Sequence, residues 1–319
     1  MANLLVAGGA GFIGSHLIDR LIGRGDSVVC VDNLSTGTRA HTALHDDDPS
    51  YRFVEADVCD RELPDLVRGS TGCRFDAVLH LASPASPPAY LARPIETLDA
   101  GSLGTRRLLE IARVDSARFV LASTSEIYGD PLVHPQRESY NGNVDPVAPR
   151  SVYDEAKRFA EALTMAYART HRVAVGIARI FNTYGPRMRS DDGRVVTNFV
   201  YQALAGEPLT IFGDGCQTRS FCYVDDEVTG LVALLDSDQV GPINIGNPHE
   251  VSIREFADLV IELTGSSSTV EFHPAPIGDP CVRQPDISLA IDVLGWQPTV
   301  SLVEGLRLTI DDYRNGSVT

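Results

Sequence analysis

The sequence predicts an α/β protein, a doubly wound parallel sheet joined to a smaller mixed α/β lobe. Continuous apolar runs recur at Leu4–Ala7, Val28–Val31, Ala77–Leu81, Phe119–Ala122 and Val173–Ile180, with a shorter run at Tyr51–Val54. Amphipathic stretches of helical period separate them, notably Ile13–Leu21, Ile95–Ala112 and Val152–Thr170. After Asn182 the elements shorten and turn clusters such as Phe212–Gly215 and Gly241–Pro242 multiply. Runs buried on both faces and linked by helices are what βαβ units require. The reading divides the chain at residues 1–180 and 181–319, with further helices expected over Val196–Ala205, Val224–Leu235, Ile253–Leu263 and Leu302–Tyr313.

The first strand runs directly into Gly8-x-x-Gly11-x-x-Gly14 and an amphipathic helix. One glycine allows the tight turn, one the close approach of a diphosphate, and one the packing of helix on strand. The diphosphate then lies on free N–H groups of the helix N-terminus. Asp32 ends the second strand, where it would accept hydrogen bonds from ribose hydroxyls and repel a 2′-phosphate. The expected architecture is therefore a Rossmann-type dinucleotide fold that takes NAD, although Arg39 lies near enough in sequence to keep NADP open. Asp57 and Val58, after the third strand, suit the adenine; Asp57 reads equally well as a helix N-cap.

The 27 basic residues comprise 26 arginines and one lysine, Lys157. It stands four residues after Tyr153, on one face of a helix that opens with Ser151 as its N-cap candidate. With ten tyrosines in 319 residues, a lone lysine falls at that spacing by chance about 3% of the time. An ammonium beside a phenol is expected to lower the phenol pKa, so that Tyr153 can exchange a proton with a substrate hydroxyl. Thr124, at the end of the fifth strand, supplies a third group for that hydroxyl, with Ser125 and Glu126 beside it at the ligand-binding edge of the sheet.

Net charge is −16, which argues against nucleic acid or an anionic membrane as partner. No apolar run reaches spanning length and no signal segment is evident, so a cytoplasmic address is expected. The six cysteines form no C-x-x-C pair and read as reduced thiols. Histidine spacing suggests no metal site.

GGAGFIG, HLAS, STSEIYG, Y-x-x-x-K and ARIFNTYGPR together resemble the extended short-chain dehydrogenase/reductase family of nucleotide-sugar enzymes, nearly end to end. Where that family has Thr before the first glycine, this chain has Ala7. Within the family, HLASPASPPAY, ASTSEIYGDP, YDEAKR, RIFNTYGPRM, DGRVV, QTRSF, GLVALL, NIGNP and RQPDI resemble the UDP-glucuronate decarboxylase group. The resemblance implies oxidation of the sugar at C4 by NAD, with Tyr153 taking the hydroxyl proton, then loss of the C6 carboxylate and re-reduction to UDP-xylose.

By the same resemblance the cofactor meets Gly8, Gly11, Phe12, Ile13, Gly14, Asp32, Asn33, Ser35, Thr36, Gly37, Asp57, Val58, Leu81, Ala82, Ser83, Tyr153, Lys157, Thr183 and Arg194. The nucleotide sugar meets Pro84, Thr124, Glu126, Tyr153, Asn182, Asn198, Glu207, Leu209, Ile211, Arg219 and Arg283, with Ser125, Glu126 and Arg283 around C5 and C6. The related 4,6-dehydratases carry an Asp-Glu pair where Ser125-Glu126 stands, which disfavours water elimination. A UDP-glucuronate or UDP-hexose 4-epimerase is the rival expectation. A non-enzymatic sensor on the same fold would have no need of Thr124, Tyr153 and Lys157. Helices of the resembling enzymes pair two copies, so a homodimer is expected.

Overall fold

The computed structural model describes residues 1–148, 150–274 and 282–316. Six parallel strands follow the apolar runs: β1 (Asn3–Ala7), β2 (Ser27–Asp32), β3 (Tyr51–Glu55), β4 (Ala77–His80), β5 (Arg118–Thr124) and β6 (Val175–Ile180). Successive β1 side chains leave on opposite faces. Leu4 and Val6 join one buried cluster while Leu5 and Ala7 join the other, as the two-residue period of a strand covered on both sides demands. Helix α1 (Phe12–Gly23) packs Leu17, Ile18 and Leu21 against the first cluster.

Between β3 and β5 lie α2 (Leu63–Thr71), α3 (Pro87–Ala92), α4 (Pro94–Asp99) and α5 (Thr105–Asp115). The single helix expected over Ile95–Ala112 is interrupted by a π-type turn at Ala100–Gly104. Two glycines explain the close packing there. A Cβ at Gly101 would lie 2.7 Å from Ala156 of α6 (Ser151–His171), and one at Gly104 would lie 2.6 Å from Val58. Ser151 does not cap α6: it is the first helical residue, Arg150 holds the cap position, and no side chain caps the end.

The remaining elements are β7 (Thr183–Tyr184), α7 (Val195–Ala205), β8 (Leu209–Phe212), β9 (Thr218–Ser220), β10 (Cys222–Tyr223), α8 (Val224–Leu235), β11 (Pro242–Ile245), β12 (Glu250–Ser252), α9 (Ile253–Thr264), β13 (Val270–His273), α10 (Ser288–Leu294) and α11 (Leu302–Arg314). Three short pairs, β7 with β10, β8 with β13 and β9 with β12, build the smaller lobe. β11 instead returns to the main sheet, whose order is β11-β6-β5-β4-β1-β2-β3. Gly241, at φ +108°, makes the expected turn, and Pro242 then opens an edge strand, a position where a missing N–H breaks no ladder. The order reverses between β1 and β4, and the cavity opens at the carboxyl ends of these strands. Cys30, Cys59, Cys73, Cys216 and Cys222 are free thiols; Cys281 lies outside the described residues.

Candidate active site

A cavity of about 850 Å³ spans the two lobes. At one end it is floored by the glycine turn. Gly8 sits at φ +82°, and a Cβ there would lie 2.5 Å from the Ala82 nitrogen; one at Gly14 would lie 2.2 Å from the Gly8 carbonyl oxygen. Helix α1 starts at Phe12 without a side-chain cap, and Gly11, Phe12, Ile13 and Gly14 line the cavity. A backbone cradle at an uncapped helix N-terminus fits a dinucleotide diphosphate.

Asp32 is buried, with Oδ2 accepting from Ala10 N–H (3.0 Å) and Oδ1 from Leu34 N–H (2.8 Å). It stitches the glycine turn to the loop after β2, and burial raises its pKa. Arg39 is committed elsewhere: it donates to Thr42, pairs with Asp46 and lies 4.2 Å over the Phe53 ring. Asp57 caps no helix. Its Oδ1 accepts from Cys59 N–H (2.8 Å) and its Oδ2 from Asn33 Nδ2 (2.7 Å), so the ends of β2 and β3 are tied together.

Ser35, Thr36, Leu81, Ser83, Asn182, Thr183, Arg194, Asn198 and Arg219 line the cavity. Asp32, Asn33, Gly37, Asp57, Val58, Ala82, Pro84 and Glu207 do not line it, and Asn33 and Glu207 are exposed. Leu209 and Ile211 are wholly buried in the core; their alternate neighbours on β8, Thr210 and Phe212, face the cavity. Strand alternation decides this, because side chains two apart share a face. Any contact from Leu209 or Ile211 to a ligand must therefore come from the backbone.

Midway along the cavity stand Tyr153, Lys157 and Thr124. Tyr153 stacks on Tyr90 with ring centroids 5.3 Å apart and planes 5° from parallel. Lys157 Nζ donates to the Ala122 carbonyl (2.8 Å) and lies 5.8 Å from the Tyr153 ring centroid. Burial pushes the ammonium down to about 8, opposed by Glu161. The expected lowering of the phenol is not found. Burial pushes Tyr153 up; a hydrogen bond with Thr124 and the charge of Arg194 oppose this, while Glu126 and Asp154 reinforce it. Burial is the larger force.

Beyond Tyr153, Glu126 forms an ion pair with Arg283 and lies 3.6 Å from Arg150. Burial raises the Glu126 pKa, but Arg283, Arg150 and Arg219 together bring it below the ordinary glutamate value. Asp154 is pushed up to about 7 by burial and by Glu126, against the pull of Arg283 and Arg150. Ser125 is buried beside them on the cavity wall. Arg194 pairs with Asp192 (2.7 Å). The sequence reading did not include Tyr90 or Arg150. The PPAY stretch and the residue before Ser151 carry no spacing signal; only the fold brings them to Tyr153 and Glu126.

A doubly wound sheet with a glycine cradle at one end of its cavity and a Tyr-x-x-x-Lys pair further along defines a Rossmann-type protein of the short-chain dehydrogenase/reductase class. The GDP-mannose 4,6 dehydratase family model matches residues 5–309, and the chain belongs to that family of extended short-chain dehydrogenases/reductases. The chain is 50% identical over 313 residues to UDP-glucuronic acid decarboxylase 1 of Arabidopsis thaliana, covering 98% of this chain and 70% of that one. Among solved structures, UDP-glucose 4-epimerase of Thermotoga maritima with UDP-glucose superposes with a TM-score of 0.90 at 32% identity, covering 99% of both chains. A mutant UDP-glucuronic acid 4-epimerase of Bacillus cereus, in complex with NAD and UDP-4-deoxy-4-fluoro-glucuronic acid, gives 0.87 at 30% identity, covering 98% of this chain and 99% of that one.

Proposed function

We propose that this chain is an NAD-dependent UDP-glucuronate decarboxylase that makes UDP-xylose. The observation that carries the reading is the Glu126–Arg283 pair set beside Tyr153 in a chain 50% identical to a UDP-glucuronic acid decarboxylase over 98% of its length. The glycine cradle of Gly8, Gly11, Phe12, Ile13 and Gly14 would hold NAD, which would supply a reversible hydride acceptor at sugar C4. Asp32 would repel a 2′-phosphate there, and Arg39 is turned toward Asp46 and Phe53, which favours NAD over NADP.

Tyr153 takes the proton of the 4-hydroxyl, with Thr124 holding the same oxygen and Lys157 placed behind the phenol by Ala122. The product is a β-keto acid. Its C5–C6 bond breaks, carbon dioxide leaves, and the electron pair passes into the C4 carbonyl as an enolate. A proton drawn from solvent then reaches C5, and as C4 is re-reduced Tyr153 gives its proton back to the C4 oxygen. Glu126, Ser125 and Arg283 surround that end of the sugar, and residues of 181–319, among them Asn182, Asn198 and Arg219, hold the diphosphate and uridine.

A second reading, 4-epimerisation of UDP-glucuronate, draws on the likeness to the Bacillus cereus epimerase. It differs in letting the keto sugar turn over before the carboxylate is lost. Incubation with UDP-glucuronate and NAD followed by mass analysis decides: loss of carbon dioxide supports decarboxylation, and an unchanged mass with altered C4 configuration overturns it. The exposed Ile95, Leu98, Leu103 and Phe159 on the α4–α6 face suit a second copy of the chain, a homodimer that light scattering would reveal. Among the described residues no helix is long and apolar enough to cross a membrane.

A further inference from the structure

Arg283 lies on a segment, residues 282–287, that belongs to no helix or strand, yet it is only 2% exposed. Its guanidinium is spent on Glu126 and on the Gly129 carbonyl (3.0 Å). A loop arginine keeps so fixed a place only if its backbone is fixed too. On one side Ser220 Oγ donates to the Arg283 carbonyl (3.0 Å). On the other side the work falls to Gln136, which is wholly buried.

The Gln136 N–H donates to the Gln284 carbonyl (2.9 Å), and its Oε1 accepts from Gln284 N–H (2.8 Å). Its carbonyl accepts from Asp286 N–H (2.8 Å), and its Nε2 donates to Val133 O (2.9 Å). One residue thus satisfies both backbone groups of the residue next to Arg283. Asn244, also wholly buried, donates from Nδ2 to the carbonyls of Gln136 and Asp286 (3.0 Å each) and accepts from Tyr128 OH (2.7 Å). The chain of contacts continues. Tyr128 OH accepts from Arg179 (3.0 Å), Arg179 is bidentate on Glu161 (3.0 and 2.8 Å), and Glu161 accepts from Ser123 Oγ (2.6 Å). Ser123 precedes Thr124, and Glu161 lies one helical turn after Lys157. A fully satisfied buried network of this kind fixes geometry rather than adding much net stability.

We propose that Gln136 and Asn244 are positioning residues: they hold Arg283 against Glu126 and, through Tyr128, Arg179 and Glu161, set that pair relative to Tyr153 and Lys157. The proposal rests on the decarboxylase reading. Its consequence is a commitment step. With Arg283 in place the keto acid is held at both ends until carbon dioxide has left and C5 is protonated. With Arg283 displaced, C4 oxidation survives and the keto sugar escapes, leaving the hydride behind as reduced cofactor on the chain.

The test uses the full chain loaded with NAD, incubated with UDP-glucuronate, and quantifies UDP-xylose and released 4-keto nucleotides by mass. In Gln136→Ala the released keto fraction rises roughly tenfold or more, the size of effect that a misplaced reacting group produces, while the first hydride transfer keeps its rate within a few-fold. Ser220→Ala, a milder change on the other flank, moves the same ratio in the same direction even if Gln136→Ala folds poorly. In an Arg283→Ala background, Gln136→Ala adds nothing, because both act through one group. Equal slowing of every step, or effects that add in the double variant, would overturn the proposal. A wild-type chain that does not decarboxylate UDP-glucuronate sinks the reading on which it rests, and the inference with it.

Discussion

Glu126 and Arg283, far apart in the chain, meet on the cavity wall as an ion pair whose arginine side chain is 3% exposed and whose glutamate side chain is 23% exposed. The two partners are therefore unequal under mutation. Arg283→Ala empties a buried site, leaves the Gly129 carbonyl without its donor and takes from Glu126 its nearest counter-charge, with Arg150 remaining at 3.6 Å. Glu126→Gln leaves Arg283 with the Gly129 carbonyl and an amide oxygen, so its stability loss is expected to be smaller. Denaturant midpoints should rank Arg283→Ala below Glu126→Gln, with the wild type above both. In transient kinetics Glu126→Gln should slow the steps after C4 oxidation more than oxidation itself; equal slowing would remove Glu126 from those steps.

Tyr153→Phe keeps the ring stacked on Tyr90 and deletes only the hydroxyl. The fold should be intact and the C4 oxidation should fall by roughly 10²–10⁴-fold, the range for loss of a positioned acid–base group. The readout is appearance of reduced cofactor on mixing with UDP-glucuronate. A near-normal amplitude and rate would mean that another group takes the hydroxyl proton.

Lys157 should be costly to the fold as well as necessary to the chemistry. Its folded pKa of about 8 lies below the ordinary 10.5, so between those values the unfolded chain binds more protons and wild-type stability rises with pH. Below that window the buried ammonium carries a constant handicap of roughly 3 kcal/mol, even with its bond to Ala122 O. Lys157→Met should accordingly be inactive, more stable than wild type near neutral pH, and lose that advantage as pH rises through the window. A variant less stable than wild type at neutral pH would show that the ammonium is a net anchor of the site.

The sheet and the Tyr153–Lys157 pair were legible because both are local patterns, a run buried on two faces and a spacing of one helical turn. What lay outside local pattern was not legible. β8 is too short for its parity to be read, so the inward face of Leu209 and Ile211 became clear only from its pairing with β13. Asp32 is an acid at the right strand end, but its two bonds to Ala10 and Leu34 depend on how two loops meet. Gln136, Asn244 and Arg150 reach the site across tertiary contacts that no spacing announces. β11 was hidden because its flanking Gly241–Pro242 reads as a turn, which it is, and also as the start of an edge strand.

Glu227 offers a test of buried charge away from the reacting sugar. It is wholly buried; among the described residues Oε1 has no hydrogen-bond partner within normal distance, the Cys222 thiol lies beside the carboxyl, and Oε2 lies 3.2 Å from the hydroxyl of Thr183, a residue of the cavity wall. That hydroxyl has one proton, and the Phe181 carbonyl at 2.9 Å takes it. The contact is then completed by a proton on Glu227, in agreement with a carboxyl pushed well above its usual range by burial and by Asp226. The unfolded chain ionises the same group near pH ~4.3. Above that pH the folded state holds the extra proton, so wild-type stability falls as pH rises toward the folded pKa. Glu227→Gln keeps the shape and a donor toward Thr183 but cannot ionise in either state. Urea unfolding across a pH series should show the variant gaining on the wild type steadily from mildly acid to alkaline pH. Parallel curves would mean that Glu227 is charged in the folded protein, and that an unrecognised cation or water compensates it beneath the cavity wall.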